Sequence, residues 1–217
     1  MFEITKEFSS VADFTMLPTE EKKKFFEDKP IISASGTLIW NRDEKYYAQG
    51  EWRGKKATEG GGVMINQALH TLDILQWFCG MPKTVKAHVC NFSLKNVIDV
   101  EDSAFGVFTL ENGGNFVLFA TNTSKVDFAV NITLCSGKDV VQITADNIII
   151  NGKFLTKSDG LPLYGKTVWG VGHKLIITDF YDCLRTGKKF ELDYDEAQKV
   201  VRMILKMYES NGQEVTI

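Results

Sequence analysis

The sequence predicts an α+β domain, a largely antiparallel open sheet with helices packed on one face. Segments with strand periodicity gather in one block from about residue 84 to 150, helical patterns stand before and after that block, and the connections inside it are short turns rich in Gly, Asn and Ser. Strands and helices segregated in this way build α+β architectures, whereas strict alternation builds parallel βαβ sheets. The length of 217 residues suffices for a good core, since a domain of about 150 residues already buries roughly 70% of the surface its unfolded chain exposes.

Composition narrows the function classes. The chain is 44% hydrophobic and 24% charged, with 25 basic against 28 acidic side chains and a net charge of -3, an ordinary globular profile. No surplus of Lys or Arg is available to neutralise a phosphate backbone, and no basic run exceeds Lys22-Lys23-Lys24, so nucleic acid is not an expected partner. No window approaches the roughly 20 apolar residues of a membrane span. Met1 to Glu7 has neither the apolar core nor the cleavage site of a leader, and a cytoplasmic location is expected. Cys79, Cys90, Cys135 and Cys183 are scattered in hydrophobic surroundings, which reads as four buried thiols rather than a disulfide framework or a zinc site.

In chain order, residues 1 to 18 show no sustained period. Thr19 then serves as an N-cap, with acids in the first turn and lysines later, for a short helix through Phe26. Residues 1–30 are read as a divergent N-terminal segment, and residues 31–217 as the domain proper. Ile31 to Trp40 is apolar and β-branched, hence a strand; Asn41 to Thr58 is a polar, aromatic-rich loop. A helix follows Gly60-Gly61-Gly62 and is stopped by Gly80-Met81-Pro82. Its apolar side holds Ile65, Leu69, Leu72 and Leu75/Gln76. Another side carries Asn66, His70, Asp73 and Trp77 at i, i+4, i+7 and i+11, so an amide, an imidazole and a carboxylate share one stripe beside a Gly-rich entry.

Strands are expected at Val85 to Phe92, Ser103 to Leu110, Phe116 to Asn122, Phe128 to Cys135, Val140 to Thr144 and Ile148 to Ile150. Asn112-Gly113-Gly114 and Ser136-Gly137-Lys138-Asp139 mark hairpins, so consecutive strands should form an antiparallel meander. Phe116-Val117-Leu118-Phe119 is apolar on both faces of its strand, which predicts that the sheet's second face is covered by a partner subunit. After a Gly-rich loop over residues 151 to 172, Val171 to Leu184 is a helix with Ile176, Ile177, Phe180 and Leu184 as its apolar side. A last helix begins with Asp193-x-x-Glu196 and is apolar at Ala197, Val200, Val201, Ile204, Leu205 and Tyr208.

These residues resemble a known family. Trp52-Arg53-Gly54, Gly60-Gly61-Gly62-Val63, Asn66-Gln67-x-x-His70-x-x-Asp73 and Trp77-x-x-Gly80-x-Pro82 look like the substrate-domain signature of the Gfo/Idh/MocA oxidoreductases. Val100-Glu101-Asp102, Asn112-Gly113-Gly114, Gly172-His173 and the helix from Glu196-Ala197 to Tyr208-Glu209-Ser210 agree, in order, over about residues 31 to 210. The resemblance implies an NAD(P)-dependent enzyme that moves a hydride on a sugar, inositol or nucleotide-sugar-like alcohol. It also implies a Rossmann domain paired with an α+β domain whose sheet packs on another subunit. The histidine matching His70 is then the proton donor or acceptor for the substrate hydroxyl, and Asn66, Arg53, Trp52, His173 and Tyr47 contact substrate.

Two departures stand out. Members of the family often carry Asp where this chain has Asn66, and an amide cannot take a proton, which leaves His70 to act alone. No strand-GxGxxG-helix occurs in the sequence, so NAD or NADP is implied without its Rossmann site. Gly170-x-Gly172 lacks the third glycine, and Glu27-Asp28-Lys29-Pro30 resembles the family's Glu-Lys-Pro motif only by coincidence.

Each candidate has a plainer reading beside the functional one. His70 could be a satisfied core histidine on spacing alone; His173 could line the pocket or simply cap its helix; His88 alternates within a strand and is structural. Gly60-Gly61-Gly62 offers free N–H groups to an anion or makes a tight turn. Arg53 and Trp52 grip a sugar or pack the loop; Tyr46 and Tyr47 stack on a sugar ring or sit on the surface. His70 with Asp73 lacks a third convergent ligand, so no metal is expected. Three functional readings remain open: a substrate domain inactive without a cofactor domain, a domain completed by a Rossmann chain in trans, and a non-catalytic sugar-binding or assembly module.

Overall fold

The computed structural model describes residues 30–144, 147–154 and 172–217. The expected N-terminal helix, Gly170 and the Glu27-Asp28-Lys29 segment lie outside these residues. The elements are β1 (Ser33–Ile39), α1 (Glu44–Tyr47), α2 (Lys56–Glu59), α3 (Val63–Asn66), α4 (Leu69–Cys79), β2 (Thr84–Cys90), β3 (Ser103–Thr109), β4 (Asn115–Thr121), β5 (Asn131–Cys135), β6 (Val140–Ile143), β7 (Ile148–Ile150), β8 (Lys153–Phe154), α5 (Gly172–Thr186), α6 (Tyr194–Ser210) and β9 (Glu214–Thr216).

The strands form one nine-stranded open sheet in the order β8-β7-β6-β5-β1-β4-β3-β2-β9. All neighbours are antiparallel except β1 and β4, which run parallel. The fold class is the one the sequence predicts, with a difference in the meander. β4 and β5 are consecutive in the chain but are not neighbours, because β1 lies between them, paired Gly36 to Leu118 on one side and Gly36 to Ile132 on the other. The chain beyond β4 passes the end of β1, where Phe128 N–H donates to the Ile39 carbonyl at 2.9 Å and Trp40 Nε1 donates to the Phe128 carbonyl at 3.2 Å.

Alternation along the strands sorts the faces. Ala34, Leu38, Phe108, Phe116, Leu118, Ala120, Ile132 and Leu134 are buried on one side, against Leu72 and Leu75 of α4 and Met203, Ile204 and Met207 of α6. Gly36 is small because α4 crosses there: a Cβ would stand 2.8 Å from Leu75 Cδ1 and 2.9 Å from Thr71 Cγ2, so a side chain would push the helix off the sheet. On the other side, Phe105, Val107, Val117 and Phe119 are exposed, and the register places Phe105 opposite Phe119 and Val107 opposite Val117.

Several expectations need correction. The helix after Gly60-Gly61-Gly62 is broken into α3 and α4: Ala68 N–H reaches back five residues to the Val63 carbonyl at 2.8 Å, a widened turn that accommodates the buried Gln67 side chain. Ile177, Phe180 and Leu184 of α5 are exposed rather than packed. The cysteines are free but half-buried, not buried. The last helix is capped as expected, with the Asp193 carboxylate accepting from Glu196 N–H at 3.0 Å, but of its expected apolar positions only Val200 and Ile204 are buried and Tyr208 half-buried, while Ala197, Val201 and Leu205 are exposed and Met203 and Met207 complete the packed side.

Candidate functional site

Of the expected site residues, Trp52, Arg53 and Asn66 are linked where the loop after β1 meets the turn before α3. Asp43 caps α1 by accepting from Tyr46 N–H at 3.0 Å, and this short helix turns its two tyrosines in different directions. Tyr47 is only 7% exposed and packs with Leu94, Ile98 and Val100 in a small second core. Its hydroxyl accepts from Asn122 Nδ2 at 3.3 Å, and burial pushes its pKa up to about 12, with the Asn122 hydrogen bond opposing. Tyr47 is therefore core, with no open ring face to offer a sugar.

Tyr46 is held in the loop. The Arg42 and Arg53 guanidinium groups lie 5.0 and 4.5 Å from its ring centroid, Arg53 Nη1 donates to its hydroxyl at 2.5 Å, and Gln67 Nε2 donates to the same oxygen at 3.4 Å. Arg42 in turn lies 4.7 Å from the Trp40 ring centroid, and Arg53 lies 4.6 Å from that of Trp52. Rings and guanidinium groups thus alternate along a column whose contacts are individually modest. The column ends at Trp52, which is 47% exposed; Trp52 is the loop's available aromatic, and Arg53 beside it is held in place while keeping further donors.

Asn66 ends α3, half-buried, and its Nδ2 donates to Glu59 Oε1. The other oxygen of Glu59 accepts from Gly54 N–H at 2.5 Å. One carboxylate therefore ties the Trp52-Arg53-Gly54 loop to Asn66. His70 stands in the first turn of α4, exposed, and Asp73 follows half-buried. Imidazole chemistry needs such access, and the core reading of His70 is not what the structure shows. His173 opens α5, but its side chain lies outside the described residues. His88 is exposed on β2 with its ring 5.2 Å from that of Phe105.

The glycine turn does different work from the anion-binding role its composition invites. Val63 N–H donates to the Glu101 carbonyl and Met64 N–H to Glu101 Oε1, both at 3.0 Å, so donors at the start of α3 are already satisfied by protein. A Cβ on Gly62 would lie 1.9 Å from the Glu101 carbonyl oxygen, and one on Gly61 would lie 2.2 Å from the Tyr208 hydroxyl. That hydroxyl donates to Glu101 Oε1 at 2.7 Å; burial, then the adjacent Glu101 carboxylate, pushes its pKa well above the usual phenol range. Glu101 and Tyr208 thus fill the space beside the turn, and the Val63 and Met64 N–H groups are not free to take an anion.

Glu59 and Asn122 were not singled out by the sequence, and Gln67 and Glu101 stood in its motifs without a role; with Tyr46 they build the site. Gln67 Oε1 accepts from Asn122 Nδ2 at 3.0 Å across 55 residues of chain. Asp102, fully buried, accepts from the N–H groups of Phe92, Ser93 and Leu94 at 2.7–3.1 Å and so holds the turn that carries the second core. The visible signal was the Val100-Glu101-Asp102 motif, whose two acids prove to be backbone caps. Among the described residues no group of three or more His, Cys, Asp and Glu is placed to hold a metal ion, and no helix is long and apolar enough to cross a membrane.

Solved structures share this architecture. WlbA dehydrogenase from Bordetella pertussis, in complex with NADH and UDP-GlcNAcA, matches over 95% of this chain and 61% of its own length, with a TM-score of 0.74 and 22% identity. Levoglucosan dehydrogenase in complex with NADH matches over 98% of this chain and 67% of its own, with a TM-score of 0.74 and 17% identity. GenD2 from gentamicin A biosynthesis, in complex with NAD, matches over 95% and 62%, with a TM-score of 0.70 and 17% identity. The chain thus spans roughly three fifths to two thirds of the length of these dehydrogenases. A sequence comparison with curated proteins finds no match. The model of the GFO/IDH/MocA C-terminal domain matches residues 30–138, from β1 through the turn after β5, and on that match over half of its length the chain belongs to the GFO/IDH/MocA family.

Proposed function

We propose that residues 31–217 are the substrate-binding and oligomerising domain of an NAD(P)-dependent oxidoreductase acting on the CH–OH group of a sugar, inositol or nucleotide-sugar-like substrate. The observation that carries this reading is the exposed imidazole of His70 following Asn66, next to a loop that presents Trp52 and Arg53 and is tied to Asn66 through Glu59. Trp52 offers a ring face for a sugar, Arg53 donors for its oxygens or for an attached phosphate or carboxylate, and His70 a group that takes or returns the hydroxyl proton. His173 belongs to the same proposal.

Because the sequence carries no strand-GxGxxG-helix, NAD or NADP is assigned to a cofactor domain, in the same polypeptide or in trans, and this domain by itself does not transfer a hydride. The bound NADH and sugar ligands of the similar dehydrogenases support the choice of cofactor and substrate class. The exposed apolar face of the sheet supports a homo-oligomer, and a cytoplasmic location goes with this reading.

His70→Ala provides the test, in the assembly that contains the cofactor domain, with NADH formation followed on UDP-GlcNAcA and levoglucosan. The expected loss in kcat is about 100-fold or more, the size of a general acid–base contribution, with sugar affinity changed by less than about threefold. Unchanged turnover would remove His70 from the chemistry. Sugar binding without turnover in any assembly would favour the non-catalytic module instead.

A further inference from the structure

Glu59 belongs to no part of the signature above, yet it touches both halves of the site. It closes α2, and its two oxygens are committed to different elements: Oε1 to Asn66 Nδ2 on α3, and Oε2 to Gly54 N–H, next to Arg53, at 2.5 Å. Asp99 Oδ1 fixes the start of α2 by accepting from Lys56 N–H at 2.5 Å, so the carboxylate is presented from an anchored turn.

A carboxylate only accepts hydrogen bonds. The edge of the Asn66 amide that faces Glu59 must therefore be its NH₂, and the carbonyl Oδ1 must face away. Among the described residues no donor takes that oxygen. We propose that Glu59 is the positioning residue that presents Asn66 as a fixed hydrogen-bond acceptor to a ligand hydroxyl, in register with the Trp52-Arg53 loop. An amide free to rotate would offer a donor or an acceptor with similar ease; clamped by Glu59 through one of its N–H donors, it holds its carbonyl oxygen outward as a fixed acceptor. The site then selects sugars or polyols whose hydroxyl at this position donates, and a carboxylate or carbonyl oxygen there meets only a lone pair. This inference rests on Asn66 facing the substrate, as in the proposed function.

A charge swap tests it. Glu59→Gln retains an oxygen for Gly54 N–H but turns an NH₂ toward Asn66, which must rotate and show its own NH₂ to the ligand. Asn66→Asp alone opposes two carboxylates. The two changes together restore a donor facing an acceptor, with a second acceptor oxygen aimed outward. In thermal unfolding at neutral pH, Asn66→Asp should lower Tm by about 3 °C or more, and adding Glu59→Gln should return it to within about 1 °C of wild type, a coupling that independent sites would not show.

In isothermal titration with UDP-GlcNAcA and with levoglucosan, Glu59→Gln should weaken the sugar that binds by about tenfold or more, and the double variant should recover to within about threefold. Wild-type affinity in Glu59→Gln, or a double variant that keeps its Tm but not its affinity, would overturn the proposal. If the wild-type protein binds neither sugar, the functional reading fails. The Tm cycle then still decides the orientation of Asn66, and additive single-variant effects would refute it.

Discussion

A tyrosine pair shows how far adjacent residues can diverge. Tyr46 and Tyr47 carry the same side chain one position apart, yet Tyr46 is held by two guanidinium groups in the loop while Tyr47 is buried over Leu94, Ile98 and Val100. Burial favours the neutral phenol, so the pKa of Tyr47 is pushed up to about 12 in the fold against about 10 for an exposed tyrosine. A folded pKa above the unfolded one contributes stability that is complete below about pH 10 and is lost as pH rises through about 12. Denaturant titrations of wild type should therefore show stability falling across that window, and Tyr47→Phe should flatten the fall. Equal slopes would mean the phenol is not protected. His70 was legible as a polar helical position, exposed in the first turn of α4, whereas its single stripe with Asn66 was not, because the widened turn at Ala68 breaks the helix between them. Glu59 and Asn122 were not, because their partners are set by how loops close on α3, which periodicity does not encode.

For the elements, the turn into α3 is the most constrained backbone of the site. Gly62 has the Glu101 carbonyl where a Cβ would stand, whereas Gly60, at φ +85°, has nothing within 4 Å of that position. Gly62→Ala must move backbone and should cost about 2–3 kcal/mol as an overpacked site, lowering Tm by about 6–10 °C. Gly60→Ala carries only the penalty of a left-handed residue, about 1 kcal/mol. Differential scanning calorimetry of the two variants checks the order, and a reversed order would contradict the packing described. Three adjacent glycines signalled a turn at helix entry, but that Gly61 and Gly62 answer to Tyr208 and Glu101 was hidden, since those residues lie in distant segments. Hairpin turns were legible for the same local reason: Asn112-Gly113-Gly114 does join β3 to β4. The parallel pairing of β1 with β4 had no sequence signal, because alternation along a strand says which face is buried and nothing about its neighbour.

At the level of the whole molecule, the sheet buries one face under α4 and α6 and leaves Phe105, Val107, Val117 and Phe119 open on the other. A contiguous apolar face of paired residues is the kind of surface that associates. Phe119→Asp should shift the protein, in size-exclusion chromatography with light scattering, from an oligomer to the mass of a single chain, without changing its Tm by more than about 2 °C, because Phe119 adds little to the core. An oligomer of unchanged mass would move the interface elsewhere. The double-sided apolar pattern of Phe116-Val117-Leu118-Phe119 made this face legible in the sequence. The exposed side of α5 was not foreseen, since its spacing is that of a packed amphipathic helix.

The central claim is that a sugar ligand is held by the Trp52-Arg53 loop, by Asn66 at the end of α3 and by His70 in the first turn of α4. Its most direct test is a titration of the isotope-labelled protein with UDP-GlcNAcA and with levoglucosan, followed by NMR of backbone and side-chain resonances. The account predicts saturable shifts for at least one of them, concentrated at the Trp52 indole, the Asn66 amide and the His70 imidazole. Saturable shifts confined to the open sheet face or to α5, or none with either ligand, would contradict it.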